Sequence, residues 1–66
     1  SPSNKKLIDR GCRLIVNQTG CTYEHACEVL HESIEDLAER AKRGEEVPSP
    51  VAMAIERIQT GGEKTL

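Results

Sequence analysis

Sixty-six residues, 36% apolar and 30% charged, with Tyr23 the only aromatic side chain, leave room for one small domain. That size excludes a doubly wound nucleotide fold, a barrel and an enzyme with a deep pocket of its own. No uncharged apolar run approaches the ~18 residues of a membrane span. Nine basic against eleven acidic residues give a net charge of −2, short of the basic excess on which phosphate-binding modules draw.

The chain opens Ser1-Pro2-Ser3-Asn4 with no initiator Met, so a segment of a longer protein is expected, with residues 1–3 a disordered tail. A first helix is predicted over 4–18. Leu7, Ile8, Gly11, Cys12, Leu14 and Ile15 cluster on one side of its helical wheel. Lys6, Arg10, Arg13 and Asn17 recur on the other. Ser3 or Asn4 can cap its start, and Gly20 offers a left-handed stop.

Thr22 caps a longer second helix over 22–43. Its apolar positions Tyr23, Cys27, Leu30, Ile34, Leu37 and Ala41 alternate steps of four and three, which is a heptad seam. Ala26 and Ala38 widen it, and Glu24, Glu28, Glu35 and Glu39 form an acidic line away from it. Such a seam is covered either by the domain's own helices or by another chain. Gly44 ends the helix. Pro48 and Pro50 forbid its continuation, and Ser49-Pro50 starts a third helix over 50–59. Val51, Ala54, Ile55 and Ile58 make that helix's buried face, and residues 61–66 are expected to form a flexible tail. The fold class is therefore all-α, a three-helix bundle with a long central helix.

Three groupings invite a chemical role. Cys21 and His25 lie four residues apart, as do Cys27 and His31, but both pairs belong to one helix or its cap and point in different directions. Zinc wants four ligands converging from separate elements, so buried thiols and solvent-facing imidazoles are the expected reading, with no metal and no cofactor. Cys21 at a helix start with His25 as base would make a nucleophile, yet no third group orients the pair. Lys6, Arg10 and Arg13, with Lys5 beside them, form a stripe that either is a solvated face or contacts RNA or DNA phosphates. Gly20 before the second helix is a poor phosphate cradle, because Glu24 in the first turn repels an anion. Three cysteines, an odd number, speak for reduced thiols and a cytoplasmic location.

Several stretches resemble the small helical C-terminal region of the N-acetylmuramic acid 6-phosphate etherase family. They are Asn4-Lys5-Lys6-Leu7, Asp9-Arg10, Arg13-Leu14-Ile15-Val16 and Thr19-Gly20-Cys21-Thr22, followed by Glu24, Ala26 and Leu30. The resemblance implies a ubiquitin-associated-like three-helix module that follows a sugar-isomerase-type α/β domain, in a cytoplasmic, dimeric protein. It places catalysis in the preceding domain and none of it on this segment. Residues 33–42 extend the second helix beyond the family pattern, and Val51-Ala52-Met53-Ala54-Ile55 would correspond to the closing helix. A second likeness, to three-helix RNA-binding antiterminator modules, rests on Ile8, Gly20, Ala26 and Leu30. The expected role is a non-catalytic packing or oligomerisation module. Its partner would be a parent α/β domain or a second copy, met through Tyr23, Cys27, Leu30, Ile34, Leu37 and Ala41. A nucleic-acid module using Lys6, Arg10 and Arg13 is the alternative.

Overall fold

A computed structural model describes residues 2–61, and it is all-α: α1 (Pro2–Thr19), α2 (Tyr23–Lys42) and α3 (Pro50–Gln59), with no strand among the described residues. Most of the tail expected over 61–66, and the first residue of the tail expected over 1–3, lie outside them. α1 begins at Pro2, two residues ahead of the expected start, so the rest of that N-terminal tail is helical instead. Proline stands at the first position of both α1 and α3, where it brings a preset φ and no N–H to satisfy.

The turns follow from local chemistry. Gly20 adopts φ 78°, where a Cβ would be strained, and its N–H closes onto the Val16 carbonyl at 2.8 Å. The Thr19 hydroxyl donates to the Ile15 carbonyl at 2.7 Å and accepts from the Cys21 N–H. Thr22 then caps α2, its hydroxyl accepting from the His25 N–H at 3.0 Å. Ser49 caps α3 the same way, accepting from Ala52 N–H at 3.1 Å.

All three helix pairs touch, in a flat body of 33 × 33 × 16 Å. The sealed core is small: Cys12 and Ile15 from α1, Ala26, Val29 and Leu30 from α2, and Ala54 from α3, with Ile8, Val16, Ile34, Ile55 and Ile58 among the half-buried residues around it. Gly11 sits where α1 meets both neighbours. A Cβ there would lie 3.1 Å from Val51 Cγ2 and 3.2 Å from Leu30 Cδ2, so a bare Cα sets how closely the helices approach. Arg57 on α3 donates to Asp36 on α2 at 3.2 Å, and the Gln59 amide reaches the Gln18 carbonyl.

The buried side of α2 is not the heptad seam. Ala26, Val29, Leu30, Ser33 and Leu37 face inward; Tyr23, Ala38 and Ala41 are exposed, and Cys27 and Ile34 are half-buried. At 100° per residue the sealed arc is rotated by roughly 60° from the seam's centre. Val29 and Ser33 make the difference. Both lie outside the alternation of four and three, on the side of the helix away from Cys27, and Ser33 adds no apolar signal although its side chain is fully enclosed, with no hydrogen-bond partner for Oγ.

Candidate interaction surface

The wheel of α1 also divides differently from its sequence reading. Leu7 and Leu14 share one line along the helix, because seven residues return within roughly 20° of the start. Ile8 and Ile15 lie about 80–100° further round and enter the core. Leu7 is therefore left 61% exposed and Leu14 47% exposed. Between them lies Gly11, and Val51 of α3 closes the far side. Together with Arg10, Arg13 and Asn17 these residues line an open groove of about 510 Å³.

The three basic candidates all reach solvent. Arg10 and Arg13 stand at the groove, whereas Lys6 does not line it. Arg13 is already engaged: its Nε donates to Asp9 Oδ2 at 2.9 Å. Asp9 also accepts from the Tyr23 hydroxyl across the α1–α2 contact. That bond is the main reason the Asp9 carboxyl is held below the usual carboxylate range; desolvation opposes it, and Arg13 adds to it. The same bond, then Cys27, pushes the Tyr23 phenol upward. Burial first, and the neighbouring Cys27 thiol second, push Cys12 up to about 12. Asp9 thus stays ionised and Tyr23 and Cys12 stay protonated through the neutral range.

The remaining candidates are dispersed. Among the described residues no hydrogen bond joins Cys21 to His25; His25 Nδ1 lies 3.7 Å from Glu28 Oε1. His31 Nδ1 donates to the Cys27 carbonyl one turn back at 2.8 Å. All three cysteines are free thiols, and no three His, Cys, Asp or Glu side chains among the described residues converge on a cation position. No described helix is long and apolar enough to cross a membrane. Of the six seam residues, Leu30 at 2% and Leu37 at 4% exposure are covered by the domain itself. The six do not form one free surface. The groove on α1 was missed because Leu7 and Leu14 read as inward-facing. The signal that could have separated them is their place at the rim of the apolar arc, next to Arg10 and Asn17.

Known proteins share part of this chain. It is 43% identical over 37 residues to the N-acetylmuramic acid 6-phosphate etherase of Mesorhizobium japonicum. It is 44% identical over 36 residues to the enzyme of the same name from Lactococcus lactis subsp. cremoris. The chain is related to these etherases. The matched stretches are 56% and 54% of this chain but only 12% of each relative's length. No family model matches, and no solved structure does.

Proposed function

We propose that this chain is a non-catalytic helical packing module, ubiquitin-associated-like in architecture, of a larger cytoplasmic N-acetylmuramic acid 6-phosphate etherase-like protein. The observation that carries the reading is the partial match: the shared stretch is about an eighth of each etherase's length. The rest of such a protein supplies a sugar-phosphate domain for catalysis, and the helices serve to pack against it or against a second copy. The open groove on α1 fits that role, since a module built to stand alone would gain by covering Leu7 and Leu14.

Two measurements test the reading. The isolated chain is expected to leave the ether bond of N-acetylmuramic acid 6-phosphate intact, and turnover by it would overturn the assignment. In sedimentation the chain is expected to form a stoichiometric complex with the Mesorhizobium etherase lacking its matched stretch, or a concentration-dependent dimer. A chain that remains monomeric and joins neither partner would contradict a packing role.

A further inference from the structure

The groove on α1 combines three properties that together specify an occupant. Its floor is apolar: Leu7, Gly11, Leu14 and Val51. The two leucines are the most exposed large aliphatics among the described residues. They stand two turns apart, about 10.5 Å along the axis, which is the spacing at which an opposing helix presents side chains at i and i+7. Its wall is cationic. Arg10 has no ion pair among the described residues, and Arg13 shares its charge with Asp9 alone.

The charge distribution separates the possible occupants. α1 carries Lys5, Lys6, Arg10 and Arg13 against the single carboxylate of Asp9, whereas ten of the chain's eleven acidic residues lie outside it. A second copy docked symmetrically through this groove would set the α1 cations of both chains face to face, an arrangement that opposes association. The acidic line of a second copy's α2 has the right charge, but Glu24, Glu28, Glu35 and Glu39 run beside His31, Ala38 and Lys42, with no large aliphatic to enter the groove. Nucleic acid would satisfy the arginines and leave Leu7 and Leu14 without apolar contact.

The geometry points to an acidic amphipathic helix as the partner of this groove, its aliphatic side chains seated between Leu7 and Leu14 and its carboxylates meeting Arg10 and Arg13. The inference rests on the packing role proposed above and names the chemistry of the segment that is packed against.

The test uses a fluorescein-labelled helical peptide with leucines at i, i+3 and i+7 flanked by glutamates. A peptide with the same leucines and lysines in place of the glutamates is the control, alongside a single-stranded oligonucleotide. Fluorescence anisotropy at low salt is expected to show the acidic peptide binding at least about tenfold more tightly than the lysine peptide. Backbone amide shifts should be confined to α1 around Gly11 and to Val51. The Leu7→Ser/Leu14→Ser double variant, shown by circular dichroism to remain folded at the assay temperature, is expected to weaken binding by about tenfold or more, and Arg10→Glu to weaken it in a salt-dependent manner. The proposal is overturned if the acidic peptide leaves those amides unmoved, or if both peptides bind equally. Oligonucleotide binding lost in Arg10→Ala/Arg13→Ala but unaffected by the leucine changes would also overturn it, as would a dimer abolished by Leu14→Ser. A chain that joins the etherase body yet ignores the acidic peptide sinks this inference alone. A chain that binds the peptide and ignores both the body and itself sinks the packing role alone.

Discussion

Leu30 and Leu37 on α2, and Leu7 and Leu14 on α1, are the same pattern twice: two leucines seven residues apart on a helix with charged residues nearby. One pair is sealed within the domain and the other is about half exposed or more. The spacing is identical, so the flanks decide. Around the wheel, Leu30 and Leu37 have Ala26 and Ser33 on one side and Ile34 on the other, side chains small or apolar enough to enter a three-helix contact. Leu7 and Leu14 have Gly11 on one side and Arg10 with Asn17 on the other. α3 reaches this edge only through Val51. A seven-residue repeat thus identifies a continuous apolar line on a helix, and the residues beside the line determine whether the domain can cover it.

The largest effect that can break this comparison is at Leu30. Leu30→Ala removes a sealed side chain from the junction of all three helices and is expected to cost about 2–5 kcal/mol, read as a lowered urea midpoint. If the stability were unchanged, α2 would not close the core through Leu30.

Ser33 sharpens the same face in the opposite direction. Its Oγ is enclosed and has no hydrogen-bond partner, and an unsatisfied buried hydroxyl costs about 1–3 kcal/mol. Ser33→Ala keeps the small volume and removes the orphaned group, so the urea midpoint should rise by an amount equivalent to about 1 kcal/mol or more. A drop would mean that the hydroxyl makes a bond in solution.

The smallest effect concerns the polar clasp between α1 and α2. Asp9 is held below its ordinary value of 3.8 chiefly by the Tyr23 hydroxyl, so the folded state binds this proton more weakly than the unfolded chain. Its contribution is present above pH 3.8 and is lost as pH falls through the folded-state value. Tyr23 and Cys12 are raised from 10.0 and 9.0. Their contributions are intact below those values and decline as pH rises past them. These three groups together should therefore leave stability level through the neutral range and lower it on both sides. In Tyr23→Phe the Asp9 carboxyl, followed by NMR, is expected to titrate closer to 3.8. No movement would show that the hydroxyl and carboxylate do not meet.

Much of the fold was legible because it rests on short-range signals. Thr22 and Ser49 as caps, proline at the start of α3 and Gly20 in a left-handed turn are each determined by two to four neighbouring residues. The heptad alternation of α2 was legible too, but its rotation was not. Whether a helix turns Cys27 and Ile34 or Val29 and Ser33 to its neighbours depends on where the other two helices lie, and a serine in the core gives no apolar signal. The groove escaped for the related reason that Leu7 and Leu14 belong to the same apolar arc as Ile15 and differ only in which neighbour reaches them.

The central claim is that α2's leucines hold the domain together while α1's outer leucines, left exposed, add little to its stability. Urea unfolding of Leu30→Ala and Leu14→Ala, measured side by side on the otherwise unchanged chain, tests it most directly. The account predicts a loss of about 2–5 kcal/mol for the first and a change within about 0.5 kcal/mol for the second. Equal losses, or a larger loss for Leu14→Ala, would contradict it.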